Sequence, residues 1–322
     1  MGLNNKSVLV TGGAGFIGSH LVDRLIEEKP ANIVIVDNFF LGKERNLRHA
    51  KENFPIQVYN QDAADYGAMK EIIENESIDV VFNLAVIPLL SSHVNPVHDW
   101  NVNVNITLVL CELIRKHQFS TLIHFSSSEA YGSAKKIIMD EVHPLCPTTP
   151  YAASKAAADH LVLSYCETFG IDVSIVRPFN NYGPRQNEGS YAGVIPITIK
   201  RVLKGTNPVI YGDGKQTRDY IYVTDTANAA IEIYKNKKTR GKIINIATGH
   251  EITIKKIITT IAEIMEFDGP ILYENERPAD VRRHRGDISL AEKLIGFKTK
   301  VAFEDGIRQT ISWYKENMII AL

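Results

Sequence analysis

Cysteine is scarce in this sequence. Its 322 residues include three, Cys111, Cys146 and Cys166, an odd number with no C-x-x-C pair. That argues against a disulfide framework and a structural zinc site, and predicts reduced thiols with no metal. No apolar run approaches the length of a membrane span. The opening residues MGLNNKSVLVTGG enter a strand within a few positions, which leaves no room for a signal peptide. Gly2 does not complete a myristoylation pattern, because Lys6 stands where serine or threonine is needed. An excess of one charge is also missing: 36 basic residues face 37 acidic ones, for a net charge of -1. Such a balance gives no general attraction to nucleic acid or to an anionic membrane, although a local basic pocket for a phosphate remains open. There is no internal repeat, low-complexity tract or flexible linker. The expectation is a cytoplasmic protein with a small-molecule partner.

What is present is alternation. Short β-branched runs at Ser7–Thr11, Ile33–Val36, Ile56–Tyr59, Asp79–Leu84, Leu122–Phe125 and Val173–Val176 read as strands. Between them, Phe16–Glu27, Tyr66–Glu74, Val97–Arg115 and Tyr151–Phe169 carry helical periodicity, with Ile17, Leu21, Leu25 and Ile26 on one face of the first. The order predicts βαβ units and an α/β fold: a Rossmann-type doubly wound parallel sheet with helices on both faces. After about Asn180 the rhythm breaks. Helices are predicted near Val194–Leu203, Thr224–Tyr234, Ile254–Met265 and Phe303–Tyr314, among longer loops and short strands. The reading is a NAD-binding domain over 1–180 and a smaller α/β substrate-binding domain over 181–322, partly interleaved. Ligands of such sheets bind at the C-terminal edge of the strands.

Gly12, Gly15 and Gly18 lie between the first strand and the first helix in GxxGxxG spacing. Glycines there permit a tight turn, backbone approach to a pyrophosphate and close helix packing, and the helix N-terminus faces the phosphates. Asp37 follows at the end of the second strand, where a carboxylate bonds ribose hydroxyls and repels a 2′-phosphate. The pattern predicts NAD rather than NADP. Tyr151 and Lys155, four apart, share one helical face. An ammonium and a cationic nicotinamide ring would favour a tyrosine phenolate, which can take a hydroxyl proton while hydride leaves the same carbon. Ser127, just past a strand, can donate to the same oxygen.

Taken together, these residues resemble the extended short-chain dehydrogenase/reductase family, which includes nucleotide-sugar 4-epimerases, 4,6-dehydratases and uronate decarboxylases. The likeness runs through TGGAGFIG, Asp37-Asn38, Asp62, Asn83-Leu84-Ala85, Asn103 with Thr107, SSSEAYG, PYAASK, Arg177 to Pro184, Asp213-Gly214, Arg218-Asp219-Tyr220 and Arg277-Pro278-Ala279-Asp280. It implies a cofactor site of Gly12, Gly15, Phe16, Ile17, Gly18, Asp37, Asn38, Asp62, Leu84, Ala85, Asn103, Ser126, Tyr151, Lys155 and Pro178. It implies Ser127, Ser128, Glu129, Tyr151 and Lys155 as the catalytic group. Asn180, Arg185, Tyr211, Arg218 and Arg277 would hold a nucleotide-diphosphate sugar, which suits the bidentate geometry of guanidinium toward phosphate. Arg282, Arg283 and Arg285 are expected to be solvated or ion-paired.

All these reactions begin by oxidising the sugar at C4. Glu129 then discriminates. By the resemblance, epimerases usually have a small or uncharged residue there, whereas 4,6-dehydratases have a carboxylate that removes the C5 proton. Many of those carry Thr-Asp-Glu where this chain has Ser127-Ser128-Glu129, so Ser128 replaces an acid; the GDP-mannose 4,6-dehydratases resemble Thr-Ser-Glu. Residues 85–96 resemble sugar-nucleotide enzymes of bacterial surface pathways, such as the GDP-N-acetylglucosamine 4,6-dehydratases of legionaminic acid synthesis. The expectation is a 4,6-dehydratase acting on a GDP- or UDP-linked hexose or N-acetylhexosamine. The alternatives are a UDP-glucuronate-type decarboxylase, a 4-epimerase and a non-catalytic NAD-binding sensor. Helices apolar on more than one face predict a homodimer.

Overall fold

The run Ser7–Thr11 is buried along its whole length, with Val8 and Val10 in one apolar core and Leu9 in another. A strand covered on both faces needs no polar alternation, which is why its sequence reads as a continuous β-branched stretch. The same split recurs next door, where Ile33 and Ile35 join the first core and Val34 and Val36 the second. The computed structural model describes residues 2–189, 192–276 and 281–317.

Six strands in chain order are β1 (Ser7–Thr11), β2 (Asn32–Asp37), β3 (Ile56–Asn60), β4 (Val80–Asn83), β5 (Thr121–Phe125) and β6 (Val173–Pro178). With Ile243–Ile246 they form one seven-stranded sheet. Its order is Ile243–Ile246, β6, β5, β4, β1, β2, β3, and every pairing is parallel. The chain winds outward in both directions from β1 and β4, which makes their junction the switch point where a doubly wound sheet opens a crevice.

The helices are α1 (Phe16–Glu27), α2 (Arg48–Asn53), α3 (Tyr66–Asn75), α4 (Pro96–Arg115) and α5 (Pro150–Phe169). Leu21, Val22 and Leu25 of α1 close the first core together with the helix Val223–Lys235. Helices α3, α4 and α5 cover the opposite face through Met69, Ile106, Leu110 and Val162. Both the strand Ile243–Ile246 and the helix Val223–Lys235 therefore belong to the main sheet and its covering layer although they follow residue 180. A third core holds the smaller lobe. There Ile195 and Ile199 meet Ile257, Ile261, Ile307 and Ile311 around Tyr182 and Tyr222. No helix among the described residues is long and apolar enough to cross a membrane.

Candidate functional site

The C-terminal ends of β1 and β4 border a cleft of about 370 Å³. Gly12, Gly15, Phe16, Ile17 and Gly18 form one wall, and Leu84 and Ala85 stand opposite. The glycines are sterically required. A Cβ on Gly18 would lie 2.1 Å from the Gly12 carbonyl oxygen, and one on Gly12, whose φ is +68°, 2.8 Å from the Ala85 nitrogen. Gly15 caps α1 without a side-chain hydrogen bond. The first-turn N–H groups of α1 are thus left for an anion, aided by the helix dipole. Asp37 is buried and accepts N–H bonds from Ala14 and Phe39, both at 2.9 Å. Burial raises its carboxyl above the ordinary value while those N–H bonds pull it down. Gly42 passes so close that a Cβ there would come within 2.6 Å of the Asp37 carboxylate. With Asn38 and Asp62 also on the cleft wall, this donor and acceptor set fits a dinucleotide with a free ribose hydroxyl pair.

Ser126, Ser127, Tyr151, Lys155 and Pro178 line the inner end of the same cleft. Local sequence explains how Tyr151 arrives there. Thr149 caps α5, accepting from Ala152 N–H at 3.2 Å, and Pro150 occupies the first turn, so Tyr151 is fixed at the helix start. Lys155, one turn on, is buried and donates to the Phe125 carbonyl at 2.5 Å. Ser127 caps the short 3-10 turn Ser128–Tyr131, accepting from Glu129 N–H at 3.2 Å, and its hydroxyl also hydrogen-bonds Tyr151. The Glu129 charge also acts on Tyr151.

Burial pushes the Tyr151 hydroxyl up to about 12, against the pull of the Ser127 hydrogen bond, and Glu129 and Asp159 raise it further. Burial lowers Lys155 to about 8, partly offset by Asp159. The protein's own residues therefore do not hold a phenolate. The Lys155 ammonium, which donates to the Phe125 carbonyl, remains a positive charge near Tyr151, and a cationic ring bound in the cleft would add to its pull. Behind them lies a buried ion pair, Arg177 to Asp159 at 2.6 Å, with Ser126 donating to Asp159 at 2.6 Å.

Other expected residues fall elsewhere. Neither Ser128, which is buried, nor Glu129, which is half-buried, is among the cleft-lining residues. Asn103 supports rather than lines the cleft: its side chain bonds both the N–H and the carbonyl of Ile87 and also Ser154. Arg185 is ion-paired to Asp23 of α1 at 2.7 Å, and its neighbours Gln186 and Asn187 line the cleft in its place. Asn180 carries a buried amide nitrogen without a protein partner, a donor available to a ligand. Arg218 is buried and donates to the backbone carbonyls of Thr217 and Val281. Tyr211 ends the short strand Val209–Tyr211. Arg277 lies outside the described residues. Arg282 and Arg283 pair with Asp213 and Glu251, and Arg285 donates to the Gly249 carbonyl. Gly42, Gln186, Asn187 and Gly193 were not singled out from sequence. Only the glycines carry a signal there, and many glycines have no such role.

The family described as GDP-mannose 4,6 dehydratase matches residues 9–310. A putative UDP-glucose 4-epimerase of Methanocaldococcus jannaschii is 36% identical over 96% of this chain and 99% of its own. Human dTDP-D-glucose 4,6-dehydratase is 35% identical, covering 97% of this chain and 91% of that protein. Among solved structures, the dTDP-glucose 4,6-dehydratase of Streptomyces venezuelae, crystallised with NAD, superposes with a TM-score of 0.91. It is 29% identical and covers 97% of each chain.

Proposed function

Because this chain belongs to the GDP-mannose 4,6-dehydratase family of NAD-dependent extended short-chain dehydrogenases/reductases, we propose that it is a nucleotide-sugar 4,6-dehydratase. The observation that carries this reading is the placement of Glu129. It stands two residues beyond Ser127, on the turn that Ser127 caps, with its charge felt at Tyr151. By the resemblance, 4-epimerases usually have a small or uncharged residue there, whereas uronate decarboxylases share Ser/Thr-Ser-Glu and would use Glu129 to position the sugar.

The residues divide the work. Ser127 and Tyr151 bind the C4 oxygen, and Tyr151 takes its proton as the C4 hydride departs. NAD, when bound, supplies the hydride acceptor and later the hydride donor. The C4 ketone acidifies the C5 hydrogen, and Glu129 removes it as a proton. Water leaves from C6, and the hydride returns to that carbon, so the redox balance is zero. Lys155 bonds within the cleft and keeps positive charge beside Tyr151. Asn180, Arg218 and Tyr211 on the smaller lobe, with Arg277, hold the nucleotide diphosphate of a GDP- or UDP-linked hexose or N-acetylhexosamine. We also infer a homodimer through α4, whose Val97 and Trp100 are exposed apolar side chains.

The second reading is 4-epimerisation, favoured by the name of the archaeal relative. The deciding experiment is product mass spectrometry in deuterated water with UDP-, GDP- and dTDP-linked hexoses, N-acetylhexosamines and uronates. Loss of water with deuterium at C5 supports the dehydratase. An isomer of unchanged mass assigns an epimerase, and loss of carbon dioxide from a uronate assigns a decarboxylase.

A further inference from the structure

Sequence reading passed over a histidine that stands behind Glu129. His284 lies on a segment that runs beside Met139 and Thr217 through backbone bonds, and it is fully buried. Its Nε2 is 2.8 Å from the Gly132 carbonyl oxygen. A carbonyl only accepts, so Nε2 carries a hydrogen in either protonation state. The neutral ring must then present a bare lone pair at Nδ1. That Nδ1 is buried, has no hydrogen-bond partner and lies 3.9 Å from the Glu129 carboxylate.

A lone pair facing a carboxylate is repulsive, and a buried polar atom without a partner is costly. One proton placed between the two groups removes both penalties. Gly132 fixes the arrangement: its φ is +67°, and a Cβ would come within 1.9 Å of the Cys146 carbonyl oxygen. The carbonyl that sets the tautomer is therefore held by a residue that only glycine can replace. The charged and titratable groups around the ring are Glu129, which favours the imidazolium, and Arg218 and His143, which oppose it. Burial opposes it most. Groups coupled this closely titrate as a pair.

Elimination of a C6 hydroxyl also needs an acid. Ser128 is a weak donor, because a hydroxyl holds its proton far more tightly than a carboxylic acid or an imidazolium. We propose that Glu129 and His284 form a shared-proton pair, with His284 as the positioning residue that stores the proton Glu129 removes from C5. In this step the C5–H bond breaks and its electron pair stays on the sugar as the enolate. The proton passes to a Glu129 oxygen and on to His284 Nδ1. As the C6–O bond breaks, the leaving oxygen keeps the bond's electrons and takes that proton back through Glu129, so water departs. C5 is later reprotonated from solvent, which balances the proton that Tyr151 took from the C4 hydroxyl. The proposal rests on the dehydratase reading for the identity of the C5 proton.

The test uses the NAD-loaded enzyme and His284→Gln, whose amide can keep the bond to Gly132 but cannot accept a proton. Reduced-cofactor absorbance should still appear on adding the sugar nucleotide, because C4 oxidation precedes the pair. Water loss should slow by about a hundredfold. An unchanged rate of water loss overturns the proposal. An independent reading is the nitrogen resonance of His284 in histidine-labelled protein, titrated in wild type and Glu129→Gln. A fall of its midpoint by a unit or more supports the pair, and no fall overturns it. If wild type releases water from no sugar nucleotide, the dehydratase reading fails. The resonance titration then decides the shared proton by itself.

Discussion

Asn103 clamps Ile87 by both halves of its peptide group, accepting from the N–H at 2.8 Å and donating to the carbonyl at 3.2 Å. The side chain comes from α4, is buried and also bonds Ser154 on α5 at 3.2 Å. One amide thus ties the cleft loop to the two helices beneath it. Asn103→Ala leaves the buried Ile87 N–H and carbonyl unpaired, at a cost of about 1–3 kcal/mol. Thermal unfolding should show a lower Tm. NAD affinity should fall as well, because Ala85, Val86, Ile87 and Pro88 line the cleft. An unchanged affinity would mean the loop keeps its shape without the clamp.

Glu129→Gln should separate the two halves of the proposed reaction. The amide cannot remove the C5 proton, yet Ser127, Tyr151 and Lys155 are untouched. Reduced cofactor should accumulate to about one equivalent while water release falls by 10²-fold or more. Tyr151→Phe should abolish both. Stopped-flow absorbance with product mass spectrometry reads each step, and normal product formation by Glu129→Gln would sink the assignment.

The buried pair of Arg177 and Asp159 predicts a stability effect. Both side chains are essentially inaccessible, and Asp159 also accepts from Ser126. Asp159→Ala strands a buried guanidinium, and removal of one partner from such a pair costs about 3–5 kcal/mol. The variant should express poorly or unfold about 10 °C lower. The double replacement Asp159→Leu with Arg177→Met should recover much of that loss in thermal unfolding. No recovery would place the penalty in lost packing, for instance of Arg177 over the Tyr131 ring at 4.4 Å.

The architecture was legible where local pattern decides it. The run Ser7–Thr11 and the helix Phe16–Glu27 have the bounds that periodicity indicates, because strands buried on both faces and a one-faced helix leave their marks in adjacent residues. The strand Ile243–Ile246 shows the limit. Nothing local says that it pairs with β6, some 65 residues earlier, in the main sheet. The site divides in the same way. Gly12, Gly18 and Tyr151 were readable because a turn or a helix start imposes them. Arg185 was not, since its partner Asp23 lies on a helix more than 150 residues away and captures the charge that a phosphate would have used. Asn103 and His284 depend on which backbone group they meet, which spacing does not encode.

Lys155 predicts a pH effect with a definite sign. Burial lowers it from 10.5 to about 8, so the native state resists its charge. Between those values the unfolded chain binds more protons, and the contribution of Lys155 to stability rises with pH. The cost of the buried charge is fully present below about 8 and fades above it. Lys155→Met should therefore gain stability over wild type at pH 7, by up to about 3 kcal/mol less the loss of the Phe125 hydrogen bond. The gain should shrink toward pH 9.5. Denaturant unfolding at the two pH values checks it, and a gain that is the same at both would show that Lys155 keeps its charge throughout.

The proposed homodimer makes the last prediction. Val97, Trp100 and Leu108 of α4 are 70%, 41% and 38% exposed, and with Val104 they fall at helical spacing on one face. Isolated exposed apolar residues are ordinary, but a contiguous stripe of this kind marks a surface that another apolar surface covers. A second copy presenting the same stripe is the self-complementary solution, because a two-fold interface brings identical patches together. Sedimentation at micromolar concentration should give a dimer for the wild type and a monomer for Trp100→Glu combined with Leu108→Glu. The double variant should keep its far-ultraviolet circular dichroism, since neither side chain belongs to an apolar core. A wild-type monomer would remove the dimer. A dimer that survives both glutamates would move the interface to another face.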